Sequence, residues 1–590
     1  MSNRSFHILH VDLNTGQGKR SDFSSPAETL GGSGLAAALF EKHYKPELDP
    51  LHPDQPLIFA IGPLTGYFPL MSKVVCAFVS PYNDEYAESH AGGRLAVAMR
   101  FAGYDALVLT GKAKNLSCLV AGGRRLDLID ISYLSGLDVF SVGKYLRRIA
   151  GGEHSGHRST IRIGPAGENM SPMACINVDT YRHFGRLGSG AVMGSKNLKA
   201  ATVLGDMNAD IPEGKDYQKL YKELYDELTA TDMMSKYHNL GTAENLAALN
   251  ALKALPWRNL QETQRPEIEA VSGERFAEEL LLRQTACAHC PVGCIHIGLL
   301  REKFASENEF LYRQVSYDYE PIFSCGTMLG MERSSDVLLL LDSCERMGLD
   351  VVSAGVALAW ATEAFEKGLI SEKETIVPLE FGQATNYSRA IEHLGGCANE
   401  FYSTLGRGAL KAAEKYGGED FACVLGQEMA GYATGEIYFV SQALGLRHSH
   451  LDSGGYSFDQ KDDPPSPEQS VELMIEDERK RCMMTSMVNC LFARKVYTPA
   501  RIKECLNVMG FTEAAENLDE LAREIQKLRW RVKFASGYDP EKVKIPKRYL
   551  EVVTWRGKID PDRLQAIRKG YQDEIVQLGK PLPEEEQQAQ

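Results

Sequence analysis

The chain has no long run of lysine or arginine, and its formal net charge is −14 with a pI near 5.6. A nucleic-acid surface needs a basic stripe, so no nucleic-acid partner is expected. Long apolar runs are also missing. The longest apolar-rich stretch, Val351 to Ala361, is far shorter than the roughly 20 residues that cross a bilayer. Met1 to Ser25 lacks a basic segment followed by an apolar block. Neither a signal peptide nor a membrane span is therefore expected, and the sequence reads as soluble and cytoplasmic. No G-x-G-x-x-G follows a strand with an acid about twenty residues on, which leaves a nicotinamide cofactor with little support. There is no internal repeat and no low-complexity block beyond the polar, acidic tail Pro581 to Gln590, which is expected to fray.

What is present divides along the chain. At 590 residues, two to four domains are expected. From Phe6 to about Leu204, short β-rich runs alternate with glycine turns: His7 to Leu13, Leu57 to Ile61, Val74 to Ser80, Ala106 to Thr110, Ser117 to Ala121, Thr160 to Ile163 and Ala201 to Leu204. Helices are expected after Ala91-Gly92-Gly93 and after Gly185 to Gly190. Beyond Asp210-Ile211-Pro212 the apolar spacing turns helical, as in Tyr217 to Leu228, Glu244 to Leu255, Phe276 to Leu282, Ser334 to Met347 and Val351 to Lys367. Tyr416-Gly417-Gly418-Glu419 is a second joint, followed by helical segments at Pro499 to Met509 and Thr512 to Lys533. The expectation is a multidomain α+β chain: a β-rich N-terminal domain, 1–208, then two mainly α-helical domains, 209–418 and 419–590.

The densest chemistry is Cys287-Ala288-His289-Cys290-Pro291-Val292-Gly293-Cys294. CxxCxxxC spacing brings three thiolates within reach of one soft metal centre. Zinc would need a fourth ligand nearby or a second CxxC pair, whereas an iron–sulfur cubane commonly takes its last thiolate from far down the chain. The spacing favours a 4Fe–4S cluster, with a zinc knuckle and an unliganded coincidence as alternatives. Of the 13 cysteines, Cys76, Cys118, Cys175, Cys397, Cys423 and Cys505 sit in apolar runs, where a free thiol packs as a small hydrophobe. Three glycine-rich turns, Gly31 to Gly34, Ala91 to Gly93 and Gly185 to Gly194, each open a helix and so offer N–H groups to an anion. With Lys73, Arg182 and Arg186 beside two of them, a phosphate-bearing ligand and plain tight packing are the competing explanations.

Several longer stretches carry a family likeness. Asp12-Leu13-Asn14-Thr15-Gly16, Ile61 to Gly66, Phe101 to Asp105, Gly164 to Asn169 and Gly190 to Ala200 resemble the aldehyde ferredoxin oxidoreductase family. So do the cysteine motif, Tyr319-Glu320 and Gly348-Leu349-Asp350. The resemblance implies tungsten, occasionally molybdenum, held between two pyranopterins with a 4Fe–4S cluster alongside, and a magnesium ion linking the pterin phosphates. It implies oxidation of an aldehyde to an acid, with ferredoxin or a ferredoxin-like subunit as acceptor, and a homodimer by family habit. In this likeness Lys73 replaces an arginine facing the cofactor, and Ser89-His90-Ala91-Gly92-Gly93 stands at the pterin turn. Arg182 and His183 match the pair near the phosphates, with Arg186 next along. Glu345, Gly348, Leu349 and Asp350 form the first pterin motif, and Thr485 and Asn489 belong to the second. That second copy ends in Cys490, the implied fourth cluster ligand, with Cys482 as its competitor.

Glu320 matches the carboxylate that moves a proton beside the metal, a task that calls for a pKa shifted toward neutrality. The family's His and Lys before Gly-Leu-Glu are absent: Gln442 and Leu444 stand in their places, Leu444 where a cofactor contact is expected. The nearby Arg447-His448-Ser449-His450-x-Asp452 string suggests that His448 or His450 supplies the lost proton donor or cation; a solvated polar loop explains the same string. Cys325 reads as core packing or as a thiolate near tungsten. Two other functions stay open: a reductase of a carboxylate or aromatic acyl-CoA within a larger complex, and a metal-stabilised scaffold that has lost catalysis.

Overall fold

The computed structural model describes residues 5–150, 157–212, 214–306 and 308–581; the tail beyond Pro581, expected to fray, lies outside the described residues. The N-terminal part is built on two six-stranded sheets. The first comprises β1 (Phe6–Asp12), β2 (Gln17–Phe23), β3 (Leu57–Ala60), β4 (Val74–Val79), β5 (Tyr86–Ala91) and β6 (Ala106–Thr110), in the order β2-β1-β6-β3-β4-β5. The second comprises β7 (Ser117–Gly122), β8 (Leu126–Asp130), β9 (His157–Arg162), β10 (Ile176–Val178), β11 (Arg182–Phe184) and β12 (Leu198–Gly205), in the order β11-β10-β9-β12-β7-β8. The β1–β6 and β12–β7 pairs are parallel and the rest antiparallel. Apolar side chains from both sheets share one core, with Phe59 edge-on to Phe184.

Two strands missed by sequence reasoning, β2 and β5, carry little apolar signal. β2, Gln17-Gly-Lys-Arg-Ser-Asp-Phe23, is largely exposed and is fixed by pairing with β1 from Phe6↔Phe23 to Asp12↔Gln17. Asp12 sets the turn: its carboxylate accepts from Asn14 N at 2.9 Å and its carbonyl from Gly16 N at 2.8 Å. β5 alternates Tyr86, Glu88 and His90 on one face with Ala87, Ser89 and Ala91 on the other. Both glycine-led helices form, as Leu95–Ala102 and Ser189–Ser195.

The rest of the chain is mainly helical, with one correction. A three-stranded antiparallel sheet, β13 (Leu281–Thr285), β14 (Ile295–Lys303) and β15 (Phe310–Tyr317), interrupts the expected helices; the helix read from Phe276 to Leu282 is Gly273–Glu279. Helix Val351–Glu366 is buried on nearly every face, so its apolar pattern shows no amphipathic stripe. Its Gly355 lets helix Tyr319–Cys325 come close, since a Cβ there would stand 2.3 Å from the Ser324 carbonyl oxygen. One apolar core runs through this half, from Trp257 and Trp360 to Tyr438 and Tyr571. Gly31 to Gly34 proves to be a packing turn: a Cβ on Gly32, at φ +41°, would lie 2.2 Å from the Thr485 carbonyl oxygen. That contact docks the first sheet on the C-terminal part. Among the described residues no helix is long and apolar enough to cross a membrane.

Candidate redox site

The sheet half and the helical half enclose a cavity of about 430 Å³. Cys287, Cys290 and Cys294, on the loop between β13 and β14, reach it from one side, and Cys490 reaches it from the turn after helix Pro467–Ser486. A single segment holds these distant pieces together. Leu70 N donates to the His289 carbonyl at 3.0 Å, Cys490 N to the Leu70 carbonyl at 3.1 Å, and Lys73 N to the Val488 carbonyl at 3.1 Å. The Ala91-Gly92-Gly93 turn is stitched to the same loop, Ala288 N donating to the Gly93 carbonyl at 3.0 Å. Gly92 is required here: a Cβ would stand 2.7 Å from Cys287 Sγ and 3.4 Å from Lys73 Nζ.

The thiols lie in a cationic pocket. Burial pushes Cys290 up to about 12 and Cys294 up to about 11. Burial acts on Cys287 in the same sense, yet Arg182 and Lys73 bring it below the usual thiol range. Burial acts to lower Lys73 and Arg182, yet both are raised above their ordinary values, chiefly by the Cys490 and Cys287 sulfurs respectively. Arg182 Nη2 lies 3.8 Å from Cys294 Sγ. Among the described residues no group of three His, Cys, Asp or Glu side chains is gathered as for a single metal ion. All four thiols line the same cavity. Cys482, the competing ligand, points away: it is buried with Arg529 Nη1 2.8 Å from its sulfur.

The remaining wall carries hydrogen-bonding groups that the protein leaves unsatisfied. Asn489 Oδ1 and Nδ2, Arg182 Nε and His450 Nδ1 are all buried without a partner, and all three residues line the cavity. Buried polar atoms of this kind are expensive unless an occupant pairs with them, so the wall fits a polar cofactor such as a pterin. Lys73, His90 and Thr485 line it too. Other residues implied by the family likeness sit behind this wall. His183 Nε2 lies 2.9 Å from Glu345 Oε1. The Gly348 carbonyl accepts from Cys175 N, and Leu349 bridges Ala174. Arg186 Nε donates to Asp350 Oδ2 at 3.2 Å, while Asp350 caps helix Val351–Glu366. Leu444 corrects the sequence reading: its side chain is fully buried in the apolar core and its carbonyl takes the Tyr538 hydroxyl at 3.1 Å.

Glu320, expected from the likeness to handle a proton, lines the cavity. Glu320 Oε1 accepts from the Tyr432 hydroxyl at 3.0 Å and lies 3.1 Å from His450 Nε2. Burial would raise Glu320, but His450 and Tyr432 outweigh it and hold the carboxyl below its ordinary range. The neutral-range carboxyl is instead Asp318, pushed up to about 7 first by burial and then by the Glu320 charge. The sequence reading missed Asp318, although it lies two residues before Glu320 and the extended start of that helix sends it to the same cavity.

His448 is a second correction. It does not line the cavity: Nδ1 faces the Ala443 carbonyl at 2.8 Å and Nε2 faces Glu85 Oε1 at 2.8 Å. With His448 in the αL region at φ +50°, residues 448 and 450 point to opposite sides of the loop. Cys325 is core, its sulfur 4.0 Å from the Val351 carbonyl.

Fold and cavity together define a two-part chain with a cysteine-lined, polar pocket between a sheet half and a helical half. Residues 8–205 match the model of the aldehyde ferredoxin oxidoreductase N-terminal domain, and residues 219–581 match that of aldehyde ferredoxin oxidoreductase domains 2 and 3. The chain belongs to the aldehyde ferredoxin oxidoreductase family. It is 28% identical over 569 residues to a tungsten-containing aldehyde ferredoxin oxidoreductase of Pyrococcus furiosus, covering 92% of this chain and 91% of the relative. It is 27% identical over 427 residues, 69% of this chain, to the WOR-like subunit of an aliphatic sulfonate oxidoreductase from the same organism. Among solved structures, the active site complex BamBC of benzoyl coenzyme A reductase, with 1,5-dienoyl-CoA, superposes with a TM-score of 0.82 at 18% identity, covering 97% of this chain and 95% of that one.

Proposed function

We propose that the protein oxidises an aldehyde to a carboxylic acid, using tungsten or molybdenum between two pyranopterins and a 4Fe–4S cluster, and passes the electrons to ferredoxin or a ferredoxin-like subunit. The observation that carries this is that Cys287, Cys290, Cys294 and Cys490, from segments nearly 200 residues apart in sequence, line the same cavity as the Glu320–His450 pair. The bound metals would supply two-electron chemistry on the substrate and one-electron exit. Lys73 and Arg182 offset the charge of thiolates and phosphates. Asn489 and Arg182 offer the unpaired hydrogen-bonding atoms that would seat the pterin. Glu320, kept ionised by Tyr432 and His450, takes a proton from the attacking water or the substrate, and His450 relays it. Asp318 stands beside it as a second carboxyl that titrates near neutrality. The pterin motif residues Glu345, Gly348, Leu349 and Asp350, with His183 and Arg186, act from behind the wall by positioning it. Magnesium between the pterin phosphates, a homodimer, a cytoplasmic site and the three-part division 1–208, 209–418, 419–590 complete the proposal.

A second reading, reduction of an aromatic acyl-CoA, draws on the tyrosines along the wall, where Tyr432 stacks on Tyr456 at 4.8 Å. Viologen-coupled assays with a panel of aldehydes and of acyl-CoA thioesters decide between them. Aldehyde-dependent dye reduction supports the first. Turnover confined to thioesters overturns it.

A further inference from the structure

Arg447 has no part in the proton pair, yet its guanidinium reaches the cavity wall. It is buried, 6% exposed, and anchored on one side: its main-chain N donates to Asp452 Oδ2 at 2.8 Å and its Nε to Asp452 Oδ1 at 2.6 Å. Nη1 donates to His90 Nδ1 at 3.3 Å. A guanidinium only donates, so His90 accepts at Nδ1 and carries its proton on Nε2, which donates to Glu88 Oε2 at 3.0 Å. Glu88 is in turn gripped by Arg529 at 2.7 and 3.0 Å, by the Tyr86 hydroxyl at 2.8 Å and by the Ser33 hydroxyl at 2.9 Å. This network leaves His90 neutral and fixes Arg447 rigidly. Among the described residues Nη2 makes no hydrogen bond, although the same fork is held at Nε and Nη1. The wall around it is cationic in an acidic chain: Lys73, Arg182, Arg447, Arg481 and Arg494 against Asp318 and Glu320.

We propose that Arg447 binds an oxyanion in the cavity through its free guanidinium edge. The planar fork suits phosphate or carboxylate, so the ligand is either a cofactor phosphate or the carboxylate formed from the substrate. The proposal rests on the oxidoreductase reading above.

The test uses full-length protein purified anaerobically, as wild type, Arg447→Lys, Arg447→Gln and Arg447→Gln/Asp452→Asn. The double variant removes the buried acid along with its partner, so folding does not depend on an unpaired charge. Tungsten, molybdenum and iron are measured, and dye-coupled activity is titrated with acetate and with benzoate. A phosphate ligand lowers tungsten about ten-fold in the glutamine variants while iron stays at the wild-type level. A carboxylate ligand leaves both metals in place and raises the inhibition constant of the carboxylates about ten-fold. In either case Arg447→Lys, which keeps the charge but loses the fork, falls between wild type and glutamine. Tungsten content and carboxylate inhibition both within two-fold (about) of wild type in the glutamine variants overturn the proposal alone. A wild-type protein without tungsten or molybdenum overturns it together with the reading beneath it.

Discussion

Replacing His448 and His450 separately by alanine gives two different failures, because the two rings face opposite ways. His448 sits between the Ala443 carbonyl and the Glu85 carboxylate, each at 2.8 Å, and its ring ties the two together inside the fold. Glu85 also holds Lys533, at 2.6 Å. His448→Ala removes one of the two side-chain partners of a buried carboxylate, just before β5, that also holds helix Leu518–Ala535. Losing one partner of a buried ion pair costs about 3–5 kcal/mol. Because Lys533 remains, the lower end, about 3 kcal/mol, is expected. His450→Ala leaves that network intact but strips Glu320 of one of its two hydrogen-bond partners. Loss of a positioned proton-transfer group typically costs about 10²–10⁴ in rate, or about 3–5 kcal/mol of barrier. The assay pairs urea unfolding midpoints with aldehyde-dependent viologen reduction, each normalised to metal content. His448→Ala should unfold early while retaining most of its turnover per metal. His450→Ala should unfold at the wild-type midpoint with turnover reduced at least about a hundred-fold. The reverse pattern, an inactive but stable His448→Ala or a fully active His450→Ala, refutes the assignment.

The other expectations come from separate parts of the molecule. Gly92→Ala places a Cβ 2.7 Å from Cys287 Sγ, so iron should fall well below the four atoms of a cubane while far-UV circular dichroism is unchanged. Glu85 is pulled down to about 2 against burial, by Lys533 and then His448, from an ordinary 4.5. A lowered carboxyl stabilises above its unfolded pKa, so its contribution is present at neutral pH and lost as pH falls from 4.5 toward 2; Glu85→Gln should flatten the acid limb of an unfolding-versus-pH curve. Asp318, raised to about 7, is neutral below that pH and ionised above it. If the ionised form accepts a proton during turnover, kcat/KM rises with pH through 7, and Asp318→Asn should remove that limb, as a pH profile of dye reduction would record. An unchanged profile argues that Asp318 only shapes the pocket.

Much of the sheet half was legible because its strands are short apolar runs set off by glycine, as in Leu57–Ala60 and Val74–Val79. β2 and β8 were not, since an exposed edge strand carries polar residues and owes its conformation to its neighbour. The β13–β15 sheet was hidden by mixed charged and apolar residues, as in Arg301-Glu302-Lys303 and Phe310-Leu311-Tyr312. At the site, CxxCxxxC spacing indicated Cys287, Cys290 and Cys294 and the family likeness indicated Glu320 and Asn489, all of which line the cavity. Spacing could not say which of two histidines separated by one residue turns inward, because that depends on the left-handed backbone at His448. Nor could it rank Asp318 against Glu320: their titration is decided by burial and by Tyr432 and His450, groups more than 100 residues away in sequence.

Elemental analysis of anaerobically purified protein tests the central claim most directly. The account predicts about four iron atoms and one tungsten or molybdenum per chain, with iron lost in Cys490→Ser and retained in Cys482→Ser. Zinc on the cysteines with neither tungsten nor molybdenum, or iron that depends on Cys482 instead of Cys490, would contradict it.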